Sequence, residues 1–124
     1  MTIRILIADD HAAVRKQLTS LLESHAGWKV CGEAENGQEA VMKAAELKPH
    51  LIILDLSMPI MDGLRAAREI ATIMPTVPIL MYTQHTYWGI ELEVKKFGVR
   101  MLVPKTGDGG ELLSTIETML SSEP

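Results

Sequence analysis

The chain has 124 residues, about one domain, and 47% of them are hydrophobic while only 4% are aromatic, so we expect an aliphatic core. A net charge of −4 argues against direct nucleic-acid binding, which needs clustered Lys and Arg. A single Cys31 excludes an internal disulfide, and no apolar run approaches the ~20 residues of a membrane span, so we expect a soluble, cytoplasmic protein.

Short apolar runs alternate with helical patterns along the chain. Strands are predicted at 3–9, 28–34, 50–55, 77–83 and 100–105. A first helix follows from the spacing of Val14, Leu18, Leu21 and Leu22, with polar residues such as Arg15 between them and Gly27 as the C-terminal cap. Further helices are predicted at 37–48, 63–74, 86–98 and 107–122. Five repeats of strand and helix predict a parallel sheet covered by helices on both faces.

Most of the predicted strands end in residues that can carry chemistry. The first ends in Asp9 and Asp10, the third in Asp55, the fourth in Thr83 and the fifth in Lys105, whereas the second contributes nothing obvious. Functional groups of open parallel sheets gather outside the carboxyl ends of the strands. The pattern does not give the strand order, but in the order 2-1-3-4-5 the three acids would share one pocket.

Three carboxylates in one pocket need compensating positive charge. At ~4 Å each pair of like charges costs about 4 kcal/mol at an effective dielectric of about 20. Lys105 supplies one positive charge, and a divalent cation would supply two more. Oxygen donors without His or Cys fit Mg²⁺. Asp55, held at the end of an apolar strand beside such an ion, is suited to attack a phosphoryl group, whose oxygens Lys105 and Thr83 can bind.

The quoted residues resemble a response-regulator receiver domain, the phosphate-accepting part of two-component signalling. The resemblance covers essentially the whole chain and rests on "ADD" at 8–10, "DLSMPIMDG" at 55–63, "YT" at 82–83 and "VPK" at 103–105. It implies an α/β fold, a doubly wound five-stranded parallel sheet of (βα)5 type in the flavodoxin-like order 2-1-3-4-5. Residues 1–121 are then the receiver domain, and residues 122–124 begin a linker.

The resemblance also implies the ligands of a Mg²⁺ ion. Asp55 matches the phosphoacceptor and also a ligand of the metal. Asp10 matches the direct ligand, and Asp9 the acid that acts mostly through metal-bound water. The backbone carbonyl of Ser57 matches the third protein ligand.

Two further residues and several partners follow from the same resemblance. Lys105 matches the phosphate counter-ion, and Thr83 the hydroxyl that moves toward the phosphoryl group. The phosphodonor is then a histidine kinase or a phosphotransfer protein, and the domain is a signalling switch rather than an enzyme. "DDHAAVRKQL" and "VPKT" are similar to the NarL/FixJ-type subfamily, whose receivers are usually joined to a C-terminal helix-turn-helix DNA-binding domain that controls transcription and often form homodimers. The chain is then either a fragment of such a protein, with that domain outside it, or a single-domain regulator.

Some positions depart from the family pattern and leave alternatives open. Leu102 stands where an aromatic switch residue is usual, Gln84 replaces a small residue, and Ser57 and His85 occupy positions that tune phosphate lifetime. Leu102 therefore admits a degenerate receiver that acts only as a dimerisation or docking module. A phosphohydrolase resembling the haloacid-dehalogenase group would need Asp at position 57, where Ser57 stands.

Several residues also have plain structural interpretations. Asp9 and Asp10 could cap a helix, and Thr83 could be an ordinary strand residue. Trp28 and Trp88 are predicted to be partly buried anchors, and Trp88 is also a candidate partner contact.

Overall fold

A computed structural model describes residues 1–84 and 86–121. Strands and helices alternate along the chain. The strands are β1 (Ile3–Ala8), β2 (Trp28–Ala34), β3 (Leu51–Leu54), β4 (Ile79–Thr83) and β5 (Met101–Pro104). The helices are α1 (Ala12–Glu23), α2 (Gly37–Leu47), α3 (Gly63–Ile73), α4 (Ile90–Lys96) and α5 (Gly110–Ser121).

The strands form one parallel sheet in the order β2-β1-β3-β4-β5, which confirms the fold implied by the resemblance. The register places the carboxyl ends of the central strands side by side. Ala8 of β1 is level with Leu54 of β3, and Leu54 is level with Met81 of β4. Residues that follow β1 and β3 therefore emerge next to each other.

Both faces of the sheet are buried, because successive side chains of a strand point to opposite faces. Ile52 and Leu54 pack with apolar residues of α2, α3 and α4 on one face. Leu51 and Ile53 pack with α1 and α5 on the other face. Each such side chain contributes about 1.5–3 kcal/mol when it leaves water, which explains why β3 is a continuous apolar run.

Glycine residues place two helix ends differently from the prediction. Gly27 is not the C-terminal cap of α1, because α1 ends at Glu23 and Ser24 caps it in right-handed helical geometry. α4 begins at Ile90 rather than at residue 86, since Gly89 has a φ of 85°, which interrupts the helical path. α5 similarly begins at Gly110, after Gly109 with a φ of 89°. Residue 122 of the predicted last helix lies outside the described residues.

The two tryptophans lie in opposite environments. Trp28 is buried at the start of β2, and its ring stacks on His25 with a centroid distance of 3.7 Å. Trp88 is 98% exposed in the turn before α4, so the prediction of a partly buried anchor is wrong for it. The reason is the shortened α4, which leaves Trp88 off the helix face that packs on the sheet. None of the helices in the described ranges is both long enough and apolar enough to cross a membrane.

Candidate functional site

Two buried acids and a lysine meet at the carboxyl edge of the sheet. Asp9 follows β1 and is 1% exposed, while Asp55 follows β3 and is 5% exposed. The Lys105 Nζ atom, just beyond β5, lies 2.5 Å from Asp9 Oδ2 and 3.3 Å from Asp55 Oδ2. The structure thus brings together the ends of β1, β3 and β5 around a single ammonium group.

The backbone holds both acids firmly. The amide of Asp9 donates to the Ala34 carbonyl at 3.0 Å, and the amide of Asp55 donates to the Ala8 carbonyl at 2.9 Å. Each carboxylate also accepts from a nearby backbone amide, Asp9 Oδ1 from His11 at 2.9 Å and Asp55 Oδ1 from Leu56 at 2.8 Å. One oxygen of each acid is therefore oriented by the main chain, and the other faces Lys105.

Asp55 has a perturbed proton affinity. Burial raises its pKa above the ordinary value of 3.8, and the nearby negative charge of Asp9 raises the pKa further. The ammonium of Lys105 and a hydrogen bond from the Thr83 hydroxyl act in the opposite direction but do not outweigh burial. Thr83 is fully buried at the end of β4, so its hydroxyl belongs to the site rather than to an ordinary strand surface.

A cavity of about 290 Å³ opens beside these groups and is the candidate site for a metal. It is lined by Asp10, His11, Ala13, Val14, Asp55, Ser57, Gln84 and Lys105. Candidate ligand atoms of Asp9, Asp10 and His11 lie within 4.8 Å of one another. His11 Nδ1 lies 3.1 Å from Asp10 Oδ1. The capping interpretation is wrong for Asp9 and Asp10, because His11 is the N-cap of α1 and forms no side-chain capping bond.

The donor set of this cavity fits Mg²⁺. Asp10 and Asp55 line the cavity with the polar residue Ser57, a ligand atom of Asp9 lies within 4.8 Å of one of Asp10, and oxygen is the ligand that Mg²⁺ prefers. The cavity is also open to solvent at Asp10, whose side chain is 32% exposed.

Two glycines hold the loop between β3 and α3, here residues 56–62. The Gly63 amide donates to the Leu56 carbonyl at 2.8 Å, and the Gly37 amide of α2 donates to the Met61 carbonyl at 2.8 Å. A Cβ atom on Gly63 would overlap the carbonyl group of Asp55, and one on Gly37 would overlap that of Met61. Only glycine permits these close approaches, which fix the backbone on both sides of Ser57.

The centre of this loop is strained. Ile60 has a φ of 70°, and the Met61 amide donates to the Pro59 carbonyl at 2.7 Å across it, which forms a γ-turn. A positive φ is a genuine outlier for a β-branched residue. The Ile60 side chain is 77% exposed, so packing within the domain does not repay this strain.

The positions expected to tune the site lie in two places. Gln84 lines the site cavity and also a neighbouring cavity of about 440 Å³ between α1 and the loop that joins β5 to α5. Leu102 lies elsewhere, in a groove of about 760 Å³ that Trp88, Ile90 and Pro104 also line. His85 lies outside the described residues.

A buried arginine beside the site is missing from the sequence prediction. The helical pattern places Arg15 among the polar residues of the first helix, yet its side chain is buried and its Nη1 donates to the Asp9 carbonyl at 2.6 Å. Its Nε donates to Glu33 at 2.9 Å, so β2 does contribute to this edge, contrary to expectation. The spacing of Arg15 to Leu18 and Leu22, the other buried residues of α1, is the signal that could have revealed it.

Comparison with known proteins identifies the family of this chain. The family model of the response regulator receiver domain matches residues 5–117. A protein-glutamate methylesterase/protein-glutamine glutaminase of Alkalilimnicola ehrlichii is 42% identical over 107 residues, which are 85% of this chain and 27% of that protein. The chain therefore spans about a quarter of the length of this curated relative.

Solved structures show the same similarity over the whole chain. The response regulator domain of Thermotoga maritima CheB superimposes with a TM-score of 0.90 at 32% identity and covers 100% of both chains. A LuxR-family two-component response regulator from Aurantimonas sp. SI85-9A1 superimposes with a TM-score of 0.93 at 32% identity, covering 99% of this chain and 88% of that one. The chain therefore belongs to the family of response regulator receiver domains, the phosphorylation-controlled switches of two-component signalling.

Proposed function

We propose that Asp55 is the residue that accepts the phosphoryl group. The observation that carries this proposal is the bridging position of Lys105, whose ammonium contacts both Asp55 and Asp9 beside an open, acid-lined cavity. In this position the Lys105 ammonium can neutralise the negative charge of a phosphoryl group attached to Asp55. Asp55 is also rigid, because its amide and one carboxylate oxygen are held by backbone hydrogen bonds.

The oxygen donors around the cavity would hold Mg²⁺. We assign Asp10 and Asp55 as direct ligands, Asp9 as a ligand through water, and the Ser57 backbone carbonyl as the third protein ligand. Mg²⁺, when bound, supplies positive charge to phosphoryl oxygens during transfer. The convergence of Asp9 and Asp10 in one turn supports this assignment.

The chain's own residues divide the remaining work of the transfer. A carboxylate oxygen of Asp55 forms a bond to phosphorus while the bond between phosphorus and the donor's imidazole nitrogen breaks, and the donor histidine leaves. Lys105 neutralises the transferred group, since it gives up its contact with Asp55 and gains a phosphoryl oxygen. The Thr83 hydroxyl donates to Asp55 before transfer and is placed to donate to a phosphoryl oxygen afterwards, which makes it the switch residue.

The phosphodonor and the output are the remaining parts of the proposal. We propose a histidine kinase or a phosphotransfer protein as the donor, and a cytoplasmic location follows from that partnership. We propose a NarL/FixJ-type regulator with a C-terminal helix-turn-helix domain that controls transcription, which the similarity to a LuxR-family regulator supports. Residues 1–121 would then be the receiver, without turnover of an external substrate, and residues 122–124, outside the described residues, would begin the linker.

A methylesterase-type output domain is the competing proposal to a DNA-binding one. The curated relative from Alkalilimnicola ehrlichii carries that name, and this chain covers only 27% of it. The two outputs differ in what the full-length protein does after phosphorylation. DNA retention by the full-length protein supports the first output, and release of methanol from protein glutamate methyl esters supports the second.

The second candidate function for the domain itself is a docking or dimerisation module that does not cycle phosphate. The groove beside Leu102 favours it, because Trp88 and Leu92, 98% and 72% exposed, present apolar surface there without any aromatic switch residue at position 102. Such a module would bind its partner equally well with and without phosphate.

Phosphorylation by a small donor separates these functions. The domain is incubated with acetyl phosphate and MgCl₂, and its intact mass is followed. We expect the mass of one added phosphoryl group in the wild type and in Asp62→Asn, a control that changes a capping acid in the same loop. Asp55→Asn and a sample with excess chelator should show no addition. An adduct that persists in Asp55→Asn would refute Asp55, and no adduct in any sample would support the docking module.

A further inference from the structure

Arg15 is buried, as are three residues of the proposed phosphorylation site. Among the described residues, four polar or charged side chains are buried: Asp9, Asp55, Thr83 and Arg15. The first three belong to the proposed site. Because a buried charge is costly unless it is paired, the fourth must hold contacts that repay its burial.

Those contacts connect Arg15 to the main chain of the metal site. Nη1 donates to the backbone carbonyl of Asp9 at 2.6 Å, and Nε donates to the Glu33 carboxylate at 2.9 Å. Nη2 also lies 3.7 Å from a carboxylate oxygen of Glu35. The guanidinium therefore lies between the turn after β1 and the end of β2.

The carbonyl that Arg15 holds belongs to the peptide unit between Asp9 and Asp10. This unit is planar, so a hydrogen bond to its oxygen limits the rotation that sets the two side chains relative to each other. Asp9 is additionally held by His11 and Lys105. Among the residues that the structure describes, Asp10 has one side-chain ion-pair partner, the exposed imidazole of His11. Arg15 is thus a buried contact of the peptide unit that joins Asp9 to Asp10.

We infer that Arg15 is a positioning residue, which holds the Asp9–Asp10 peptide in the orientation that lets both carboxylates serve one Mg²⁺ ion; this inference rests on the proposed metal site. Mg²⁺ demands near-ideal octahedral geometry, so a small rotation of one ligand is costly. Groups that orient metal ligands in this way typically change metal affinity by about 10–100-fold when they are removed.

The direction in which Mg²⁺ affinity changes when Arg15 is removed distinguishes a positioning role from a purely electrostatic one. Arg15 is a cation close to two acids, and by charge alone its removal would strengthen the binding of another cation. Removal of a restraint on the metal ligands would instead weaken the binding of that cation. Glu33 and Glu35 also compensate the guanidinium, which reduces its direct effect on the potential of the cavity.

The test measures Mg²⁺ binding by titration calorimetry with MgCl₂ on the wild-type chain, Arg15→Met, Arg15→Lys and Glu33→Gln. We expect the dissociation constant to rise about tenfold in Arg15→Met and in Arg15→Lys, since lysine keeps the charge but cannot hold the carbonyl and Glu33 together. Glu33→Gln keeps an acceptor for Nε and should change affinity less than about twofold, because Glu33 is 46% exposed and its charge is screened.

A second readout follows the restraint without metal. The Asp9 amide, which donates to the Ala34 carbonyl, should exchange with solvent faster in Arg15→Met than in the wild type in chelator, while amides in the centre of β3 remain protected. Mg²⁺ binding by Arg15→Met as tight as, or tighter than, that of the wild type would overturn the inference. If Arg15→Met does not fold, Arg15→Lys decides by the same criterion. A wild-type chain that binds no Mg²⁺ would overturn the proposed metal site itself.

Discussion

Replacing Lys105 by methionine tests the electrostatic balance of the site. The side chain of Lys105 is 11% exposed, and the two acids that it contacts are almost fully buried. Methionine has a similar length and no charge, so the substitution removes the counter-ion and keeps most of the volume. Asp9 and Asp55 are then left facing each other without compensation.

The size of the loss follows from the two distances. At an effective dielectric of about 20, charges 2.5 Å and 3.3 Å apart attract by about 7 and about 5 kcal/mol. Removing the ammonium from water during folding offsets much of this attraction. Loss of one partner of a buried pair typically costs about 3–5 kcal/mol, and we expect Lys105→Met to lower the free energy of unfolding by that amount in chelator.

Mg²⁺ should restore part of this stability. A divalent ion supplies the missing positive charge, and the ammonium no longer competes with it for the acids, so MgCl₂ should stabilise Lys105→Met more than the wild type. Urea unfolding followed by circular dichroism, with chelator and with MgCl₂, measures both effects. Lys43→Met is the matched control, because Lys43 lies 3.4 Å from Glu39 on the surface and should cost less than about 1 kcal/mol.

Two results would refute this reasoning. A loss below about 1 kcal/mol for Lys105→Met in chelator would mean that the three-way contact does not form in solution. Equal stabilisation of the variant and the wild type by MgCl₂ would mean that Lys105 and the metal do not share the same acids.

Three further predictions concern the acid, the loop and its strained centre. The pKa of Asp55 is raised in the folded state, so the contribution of Asp55 to stability is complete below pH 3.8 and is lost as the pH rises through the raised pKa. Asp55→Asn should therefore be more stable than the wild type near neutral pH in chelator. Thermal unfolding across pH measures this difference in stability, which should vanish below pH 3.8. Gly63→Ala should cost at least about 3 kcal/mol, because its Cβ would overlap the backbone of Asp55, whereas Gly107→Ala, at a positive φ with open space around it, should cost about 1–2 kcal/mol; urea unfolding compares them, and equal losses would contradict the close approach. Ile60→Asn should raise the free energy of unfolding by about 1 kcal/mol, because asparagine tolerates a positive φ better, and phosphorylation by acetyl phosphate should not change; a loss of stability would show that the side chain of Ile60 packs in solution.

The sheet and its edge could be predicted from the sequence because they follow from strong local patterns. Continuous apolar runs indicate strands that are covered on both faces, and an acid directly after such a run indicates the carboxyl edge of a parallel sheet. Asp9, Asp55 and Lys105 could therefore be assigned to one edge of the sheet from the sequence, whereas a shared pocket also required the strand order. The strand order could not be derived in this way, since it came from the resemblance to a family.

The helix ends and the exposure of Trp88 depend on backbone conformation that composition does not reveal. Gly89 is compatible with a helix interior or with a left-handed turn, and the apolar pattern around it fits both. The structure adopts the turn, which starts α4 at Ile90 and leaves Trp88 in solvent. Periodicity alone favours the longer helix, because the spacing of apolar residues does not reveal which of them contact the sheet.

For Arg15 the residue type itself leads to the wrong prediction, because the side chain is buried rather than exposed. An arginine in an amphipathic helix is ordinarily assigned to the solvent face, because a buried charge needs partners that a local pattern does not show. Here the partners come from the turn after β1 and from β2, 6 and 18 residues away along the chain. Only the folded arrangement brings a backbone carbonyl and a carboxylate to the same guanidinium. Buried polar residues next to a recognised site are therefore the places where tertiary structure adds most to a sequence interpretation, and in this domain that residue lies behind the two acids on which metal binding is proposed to depend.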